Sequence, residues 1–307
     1  MKQIKKNKTP FSLKALTIGT FDGVHLGHQK ILKSVITLAK EKGLKSAVLT
    51  LFPHPRMVLN KDSNIKLLNT IDERIAMMKT IGIDEVIVKE FTVEFSQLSA
   101  EDYVKQILVD ALQAKTIIIG YDHHFGKNRS ANIKDLIAFS KDYDFEVQEI
   151  NALTLNDVNI SSTKIRTALS EGNVTLANEY LGYEYTLTGK VVYGKKLGRK
   201  IGFRTANIDV EADYKLIPKD GVYVVKSEIN KQTYFGMMNI GQNPTIENAE
   251  SSIEVHYFDF DQDLYGQTIS VKLLKRLRDE YHFESIEALK VQLEKDKVSA
   301  LKFLNKE

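Results

Sequence analysis

The segment Leu16–Gln29, LTIGTFDGVHLGHQ, decides how the first half of the chain folds. Its three leading residues are apolar or β-branched and predict a short strand, and Gly19 and Gly23 predict a tight turn after it. Helical periodicity begins directly after this turn, with His25 and His28 one helical turn apart at its start. The segment therefore predicts a strand, a glycine turn and a helix N-terminus that carries two histidines.

A helix N-terminus of this kind is suited to bind a polyphosphate. Its first N–H groups have no partners within the helix, they lie at the positive end of the helix dipole, and nearby glycines allow a close approach. His25 and His28 add donors that stabilise charge on transferring phosphoryl oxygens, with no need for a covalent intermediate. A histidine pair alone is weak evidence, but the strand, the glycine turn and Gly27 between the histidines together favour a phosphate site.

The composition is that of an ordinary globular protein and excludes several kinds of chemistry. Of 307 residues, 43% are hydrophobic and 27% are charged, and this length predicts about two domains. The chain has no cysteine, which excludes disulfides, thiolate catalysis and cysteine-ligated metals. A net charge of +3 does not indicate a nucleic-acid partner, and no apolar run of about 18 residues indicates a membrane span. We therefore expect a cytoplasmic protein with neither a nucleic-acid nor a membrane partner.

The first 183 residues alternate strand-like and helix-like segments, which is typical of a parallel sheet covered by helices. The predicted strands are Lys14–Gly19, Ser46–Phe52, Glu85–Glu90, Thr116–Gly120 and Phe145–Ile150, and the predicted helices are Gly27–Lys42, Ile71–Ile81, Ala100–Ala114 and Ile133–Tyr143. The loops after the first, second and fourth strands, GTFDG, FPHP and GYDHHFG, converge at the edge where such sheets bind ligands. The expected fold is an α/β domain with a Rossmann-like parallel sheet.

The pattern changes near residues 182–185. From Tyr185 onward, short β-rich runs such as YTLTGKVVYG, GVYVVKSEI and TYFGMMNIG alternate with glycine turns. This pattern predicts a closed or nearly closed antiparallel barrel, with a helix over Ser285–Asn305 packed on it. The predicted domains are residues 1–183 and 184–307.

A second polar cluster lies shortly before this boundary. Ser161, Ser162 and Thr163 fall at a predicted helix N-terminus, with Lys164 and Arg166 just inside it. Capping needs one hydroxyl, whereas three hydroxyls beside two cations match an anion site in which Arg166 supplies charge-assisted hydrogen bonds. We favour phosphate binding over capping alone, although the chain has neither a Walker A motif nor a GxGxxG turn.

A glycine-rich stretch lies near the start of the second domain. Gly194, Gly198 and Gly202 are spaced four residues apart, with lysines and an arginine between them. Glycine lets backbone N–H groups turn toward an anion and the cations add charge, so the stretch predicts a flexible phosphate loop.

Taken together, these motifs resemble one family. GTFDGVHLGHQ, LTLFPHP, IGYDHHFG and ISSTKIRTAL, in this order, are similar to the adenylyltransferase module of the prokaryotic bifunctional riboflavin kinase and FAD synthetase. VVYGKKLGRKIGFRTANI, KDGVYVV, MMNIGQNPTI, IEVHYFDFDQDLYG and LRDEYHFESIEALKVQLEKD resemble its flavokinase module. The resemblance covers nearly the whole chain. It implies an HxGH-type nucleotidyltransferase domain followed by a β-barrel flavokinase domain with a C-terminal helix.

The resemblance implies that the first domain adenylates FMN with ATP to give FAD and pyrophosphate. His25 and His28 then stabilise the phosphates, while Arg166 and the hydroxyls of Ser161, Ser162 and Thr163 hold the leaving pyrophosphate. Beside the nucleotide the resemblance places Gly19, Phe21, Asp22 and Gly23. On the flavin side it places Phe52, His54, Asp122 and Phe125. Core packing stays the alternative for Phe52 and Phe125. Because the attacking phosphate is already an anion, positioning supplies most of the catalysis.

The resemblance also implies that the second domain phosphorylates riboflavin with ATP. Its nucleophile is a neutral hydroxyl and needs a base, a role that falls to Glu254, while Mg²⁺ is assigned to Thr205 and Asn207. A carboxylate can accept the hydroxyl proton, and neutral oxygen ligands suit Mg²⁺. The implied small molecules are ATP, riboflavin, FMN and FAD. The sequence does not determine the oligomeric state, so a homo-oligomer stays open.

Three positions depart from the family pattern and leave alternatives open. His123 and His124 stand where an aromatic and a basic residue are common, which bears on how the flavin fits. Arg204 replaces a proline, and it either contacts phosphate or weakens metal binding. We favour a kinase that is active at a normal or reduced rate. The alternatives are an FAD synthetase with a vestigial kinase domain, a flavin-binding regulator, and a related nucleotidyltransferase with another substrate; Glu254 and the complete HxGH and SSTKIR motifs argue against the regulator.

Overall fold

A computed structural model describes residues 12–60, 64–120, 123–150, 154–155, 158–194, 198, 201–241 and 252–305. The chain divides into two compact units, residues 1–160 and 161–307. This division falls ahead of residue 183, because the two helical segments Ser162–Ser170 and Val174–Leu181 group with the second unit. Among the described residues, no helix is long and apolar enough to cross a membrane.

The first unit is built on a five-stranded parallel sheet. Its strands are β1 (Lys14–Ile18), β2 (Lys45–Phe52), β3 (Glu85–Glu90), β4 (Ala114–Gly120) and β5 (Glu146–Ile150). The order β3-β2-β1-β4-β5 puts β1 at the centre, and the winding direction reverses between β1 and β4. The loops after these two strands therefore flank the switch point, where ligands bind in folds of this kind. The Rossmann-like sheet predicted from the sequence is confirmed.

Helices cover both faces of the sheet. They are α1 (Leu26–Lys42), α2 (Pro55–Leu59), α3 (Ile71–Ile81), α4 (Val93–Ser96), α5 (Ala100–Asp102) and α6 (Ile133–Asp142). Ile118 packs in the core formed with α1 and α3, while Ile117 and Ile119 pack in the core on the opposite face. Successive strand residues point to opposite faces, so both faces of β4 are buried and the strand is continuously apolar. A short hairpin of β6 (Thr154–Leu155) and β7 (Val158–Asn159) ends the unit.

The α3 helix begins and ends at the predicted residues. Thr70 and Glu73 form a capping box at its start, and Gly82 adopts a left-handed conformation with φ of 113° at its end. A capping box pairs two otherwise free N–H groups, and a left-handed glycine ends a helix without steric cost. Both signals are local, which is why the sequence predicts these bounds.

The predicted helix Ala100–Ala114 is wrong in form. Only α5 is α-helical there; Tyr103–Ala111 continues as a π-helix, and Ala114 is the first residue of β4. The helical segment stops because Gln113 takes a positive φ of 56° and Ala114 pairs with Lys14 of β1. Tertiary pairing with the central strand thus overrides the local helical pattern.

The second unit begins with α7 (Ser162–Ser170) and α8 (Val174–Leu181), which pack on its barrel. The Lys219 N–H donates to the Leu169 carbonyl at 3.0 Å. The Asn178 side chain donates to the Leu273 carbonyl at 2.9 Å and accepts the Tyr185 N–H at 2.8 Å. One side-chain amide therefore fixes α8 to two segments of the barrel.

Six antiparallel strands close the predicted barrel. They are β8 (Thr186–Val192), β9 (Ala206–Asp209), β10 (Gly221–Ile229), β11 (Gln232–Gly241), β12 (Ser252–Tyr257) and β13 (Thr268–Arg278). The order is β10-β11-β12-β9-β8-β13, and pairing of β10 with β13 completes the circle. The sequence predicted a closed or nearly closed barrel, and the barrel is closed, so it has no free strand edges.

The C-terminal helix α9 (Ile286–Leu304) begins after the N-cap Ser285, one residue inside the predicted bounds at each end. Asp296 of this helix is 3% exposed and accepts two hydrogen bonds from Arg278 of β13, at 3.0 and 2.7 Å to one carboxylate oxygen. Such a buried charged pair is costly to break, because removal of one partner leaves the other without compensation. The helix is therefore fixed to the barrel wall, as predicted.

Candidate active sites

The turn between β1 and α1 has a strained backbone. Phe21 and Val24 adopt positive φ angles of 48° and 35°, and Gly23 has a φ of 87°. Residues other than glycine rarely take this conformation, at a cost of about 1–3 kcal/mol each, so the surrounding structure must hold them there. Strain of this kind is concentrated at functional sites and switch regions.

His25 caps the N-terminus of α1. Its Nδ1 accepts the backbone N–H of His28 at 3.3 Å, and its ring is 5% exposed. Because Nδ1 supplies a lone pair, the ring proton of a neutral His25 lies on Nε2, which is left as a donor. The cap therefore fixes both the orientation and the tautomer of a side chain that sequence reasoning assigned to phosphate stabilisation.

His28 stacks on His25, with ring centroids 3.6 Å apart and planes 18° from parallel. Burial, the neighbouring His25 and the Arg74 guanidinium, in that order, hold the pKa of His28 well below its ordinary value of 6.5. His28 Nδ1 is buried and has no hydrogen-bond partner among the described residues. A Cβ at Gly27 would lie 3.2 Å from the His25 ring, so the glycine between the histidines lets them stack.

Two buried side chains, Asp22 and Arg74, connect this turn to α3 and to the residues just before it. The Asp22 carboxylate is 1% exposed and accepts the N–H groups of Leu68, at 3.0 and 3.1 Å, and of Asn69, at 3.2 Å. Arg74 is fully buried and donates to the Thr20 carbonyl. Asp22 was predicted to lie beside the nucleotide, and this stays a prediction; its carboxylate accepts hydrogen bonds from backbone N–H groups. Arg74 was missed, because a single arginine in a helix pattern gives no signal.

An apolar cleft of about 430 Å³ opens beside His28. One side is formed by residues of the turn between β1 and α1 that ends in the two histidines (residues 19–28, the histidine turn), among them Gly19 and Phe21. Phe125, which is 6% exposed, forms part of another side. Phe125 also packs on Tyr103 at 5.7 Å, so it belongs to both the core and the cleft. The cleft volume lies within the range typical of small-molecule sites. His123 and His124, which depart from the family pattern, line the same cleft.

Among the described residues, two others predicted for the flavin side do not line the cleft. The residues on either side of them, Leu51 and Pro55, line it, whereas Phe52 and His54 are absent from its lining. His54 caps α2 by accepting the Arg56 N–H at 3.1 Å. Asp122 lies outside the described residues.

The hydroxyl cluster lies where a helix N-terminus was predicted. Ser161 is the N-cap of α7 and accepts the Lys164 N–H at 3.4 Å, while Ser162 and Thr163 form the first turn and Arg166 follows in the second. Ser161 therefore caps the helix, which was the alternative to phosphate binding. This cluster lies in the second compact unit, so its part in phosphate binding stays a prediction.

The barrel brings three of the predicted kinase residues together. Asn207 of β9 is the register partner of Glu254 on β12. The Thr205 hydroxyl donates to the Glu254 carboxylate at 2.9 Å, and Ser252, which sequence reasoning missed, donates to its other oxygen at 3.2 Å. A carboxylate, a hydroxyl and an amide thus lie together beside β9 and β12, and their oxygens are of the kind that Mg²⁺ prefers.

Two glycines of the predicted phosphate loop, Gly194 and Gly198, also lie near this group. A Cβ at Gly194 would lie 2.2 Å from the Asn207 amide nitrogen, and one at Gly198 would lie 2.1 Å from the Phe203 carbonyl. Gly202 has a φ of 88°. Each glycine therefore has a local reason to lack a side chain, through close approach at the first two and backbone conformation at the third.

Arg204 lies in the loop between Gly202 and β9. Its Nη1 lies 2.9 Å from Asp261 Oδ1, and its carbonyl accepts a hydrogen bond from His256 Nδ1 at 2.9 Å. A pocket of about 30 Å³ lies beside Arg204 and Thr205, with Tyr257 and Phe260 among its walls. The arginine that replaces proline therefore faces a carboxylate.

The fold defines a class: a two-unit enzyme with a Rossmann-like parallel sheet in its first unit and a closed antiparallel barrel in its second. The model of the FAD synthetase family matches residues 8–164, and that of the riboflavin kinase family matches residues 181–304. The chain belongs to the family of bifunctional riboflavin kinase/FMN adenylyltransferases.

Similar proteins cover the chain almost completely. Bifunctional riboflavin kinase/FMN adenylyltransferases from Listeria monocytogenes and Bacillus subtilis are 42% and 38% identical to it, over 95% and 94% of this chain and 93% and 92% of the relatives. The Escherichia coli protein of the same description is 34% identical over 94% of this chain and 92% of its own. A crystal structure described as a macrolide-efflux protein from Streptococcus pneumoniae is 34% identical, with a TM-score of 0.84 over 94% of this chain and 93% of that one.

Proposed function

We propose that this chain converts riboflavin to FMN in its barrel unit and FMN to FAD in its Rossmann-like unit, with ATP as co-substrate of both steps. The observation that carries the proposal is that one chain holds both sites: stacked histidines beside an apolar cleft, and a carboxylate beside two metal-type oxygen ligands. Membership of the bifunctional family supports both activities, and no comparison favours an FAD synthetase alone or a flavin-binding regulator.

In the proposed adenylyl transfer, a phosphate oxygen of FMN attacks the α-phosphorus of ATP. The new P–O bond forms as the bond to the bridging oxygen breaks, and pyrophosphate leaves with that electron pair. The nucleophile is already an anion, so the site needs donors and alignment rather than a base. In this proposal His25 Nε2 and the neutral ring of His28 donate to phosphate oxygens, and the N-terminus of α1 adds its dipole.

In the proposed kinase reaction, the terminal ribityl hydroxyl of riboflavin attacks the γ-phosphorus of ATP and ADP leaves. The hydroxyl proton must be removed as the O–P bond forms, and Glu254 is the carboxylate available for it. Hydrogen bonds from Thr205 and Ser252 hold that carboxylate in one orientation. A base held by two donors loses little rotational freedom when substrate binds.

Mg²⁺ is part of this proposal. Thr205 and Asn207 would hold it together with ATP phosphates, and the ion would neutralise negative charge on the transferred group. The fit is supported by the donor set, in which a hydroxyl, an amide and a carboxylate lie together at the edge of β9 and β12. At the start of the second unit, Ser162, Thr163 and Arg166 are proposed to bind phosphate groups, in keeping with their positions in the first turns of α7.

A chromatographic time course tests the function. Purified, flavin-free protein is incubated with ATP and Mg²⁺ and with either riboflavin or FMN, and the three flavins are resolved over time. We expect FAD from both starting points, with FMN as an intermediate in the first. FAD from FMN alone would indicate a disabled kinase, and no product from either would favour a flavin-binding regulator.

A further inference from the structure

Arg74 is an arginine in the interior of the Rossmann-like unit, with no exposed surface. It lies in the first turn and a half of α3 and donates through Nη1 to the Thr20 carbonyl and, at 3.3 Å, to the Thr50 hydroxyl. Arginine is almost never fully buried without partners, since desolvation of its charge is costly. Replacement of buried charged groups by hydrophobic residues of similar volume is often neutral or stabilising, so packing alone does not account for this guanidinium.

The Thr20 carbonyl is the point at which several contacts meet. The Thr50 hydroxyl, at the end of β2, also donates to it at 3.1 Å, so a guanidinium and a hydroxyl bind one carbonyl oxygen. Two residues further on, Asp22 is bound by backbone N–H groups just before α3. The segment from Thr20 to Asp22 is therefore attached to rigid elements at both of its ends, and it leads directly into the histidines.

This attachment explains how the strained turn persists. Phe21 lies between Thr20 and Asp22 and has a φ of 48°, and Val24 and Gly23 also have positive φ angles. A backbone in this conformation relaxes unless surrounding contacts fix it. Relaxation would move the N-cap His25 and the ring stacked on it, since both follow within a few residues.

We propose that Arg74 is a positioning residue for adenylyl transfer: by binding the Thr20 carbonyl, it holds the strained turn so that His25 and His28 face the reacting phosphates. The inference rests on the proposed function of the Rossmann-like unit. Arg74 acts through the turn and is not itself in contact with substrate. Displacement of catalytic groups by about 1 Å can slow a reaction about 100-fold, so even a small movement of this turn matters.

Arg74 also has an electrostatic effect on the same site. Its charge contributes to the lowered pKa of His28, after burial and the neighbouring His25. A neutral His28 can stack on His25 without the repulsion of two cations. This electrostatic contribution agrees with a positioning role for Arg74, and that role rests on the hydrogen bonds from Arg74 to Thr20 and Thr50.

The test compares four variants of the full-length protein. Arg74→Met keeps the approximate length of the side chain and removes its hydrogen-bond donors. Arg74→Lys keeps the positive charge and an ammonium group that can donate to the Thr20 carbonyl. Thr50→Val removes the second donor to that carbonyl without a change in side-chain shape. Lys79→Met removes an exposed cation from the same helix and is the matched control. FAD formation from FMN and ATP is measured as kcat and as KM for each substrate, and riboflavin phosphorylation by the same preparation is measured in parallel.

For Arg74→Met we expect kcat of FAD formation to fall about 100-fold, with each KM changed less than about threefold. Arg74→Lys should recover at least a tenth of the wild-type kcat, and Thr50→Val should lower kcat severalfold. Lys79→Met and the riboflavin kinase activity of all variants should stay unchanged. Rescue by lysine and a selective loss of kcat separate positioning from a general loss of structure.

A kcat of Arg74→Met within threefold of wild type would overturn the inference, as would equal losses for methionine and lysine in a folded protein. If Arg74→Met does not fold, Thr50→Val decides: wild-type kcat in that variant would overturn the role of the Thr20 attachment. A wild-type protein that forms no FAD from FMN and ATP contradicts the proposed function itself, which is a separate result.

Discussion

The side chains of the histidine turn and those around Glu254, namely Thr205 and Asn207, are held in position in different ways. The turn holds His25 and His28 through strained backbone and buried contacts from Asp22 and Arg74, which come from distant segments. Glu254 lies on β12 opposite Asn207 of β9, so its position follows from regular strand pairing. The comparison shows that strand pairing can place a side chain by register alone, whereas a strained turn needs support from outside its own segment.

The two sites also differ in the chemistry that their nucleophiles require. The phosphate of FMN is an anion before it reacts, and the site that we assign to it has a histidine whose pKa is lowered, so that it is a neutral donor. The hydroxyl of riboflavin must lose a proton, and the site assigned to it has a carboxylate. The division of labour therefore predicts that substitutions in one site leave the other reaction intact.

The largest effect is expected at Glu254. In Glu254→Gln the side chain keeps its size and loses the ability to accept the hydroxyl proton, so riboflavin phosphorylation should fall about 10²–10⁴-fold. FAD formation from FMN should be unchanged, and this serves as the internal control for protein concentration and folding. Loss of both activities in a folded protein would contradict the assignment of one reaction to each site.

The reciprocal substitution is His28→Ala. Removal of a donor to the transferring phosphate should lower FAD formation from FMN by about 10²–10³-fold, while riboflavin phosphorylation is retained. Both rates are measured on one preparation by flavin chromatography. A variant that still forms FAD at more than a tenth of the wild-type rate would show that His25 and the helix N-terminus suffice.

A substitution at a glycine compares the tolerance of the two sites. In Gly194→Ala the added Cβ would lie 2.2 Å from the Asn207 amide, which must move, so we expect a loss of about tenfold in riboflavin phosphorylation. In Gly27→Ala the nearest atoms are those of the His25 ring at 3.2 Å, and FAD formation should fall less, by about threefold. Equal effects, or a larger one at Gly27, would mean that the histidine pair tolerates less displacement than the metal-type ligands.

Sequence patterns predict the parts of the molecule that local physics decides. The bounds of α3 follow from its capping box, and the helix N-terminus at Ser161 follows from its hydroxyl residues. Glu254, by contrast, was named from the family resemblance, and its role as a base stays a prediction. Arg74 could not be found in this way, because it contacts Thr20 across 54 residues of sequence. Strand β9 was not predicted either, since four residues with little apolar character are held there by pairing with β8 and β12.

The lowered pKa of His28 also makes stability depend on pH. Below 6.5 the unfolded chain protonates this histidine while the folded chain does not, so the free energy of unfolding should decrease as pH falls from 6.5 toward the pKa of the folded state. The slope for one proton is at most about 1.4 kcal/mol per pH unit. Urea unfolding of wild type and His28→Gln between pH 7.5 and 5.5 measures this, and the variant should show the shallower dependence. Identical slopes would show that His28 does not stay neutral in the folded protein.

The smallest effect is expected at the second arginine of interest, Arg204. Arg74 is wholly buried, whereas the side chains of Arg204 and its partner Asp261 are 45% and 97% exposed, and exposed ion pairs contribute about 0–1 kcal/mol. The backbone of Arg204 is held by His256, so Thr205 keeps its position without the guanidinium. Riboflavin phosphorylation by Arg204→Gln and Asp261→Asn should therefore stay within about threefold of wild type, as an exposed pair of this strength allows. A loss of more than tenfold in Arg204→Gln alone would mean that the guanidinium leaves Asp261 and binds phosphate during turnover, which makes Arg204 part of the kinase site.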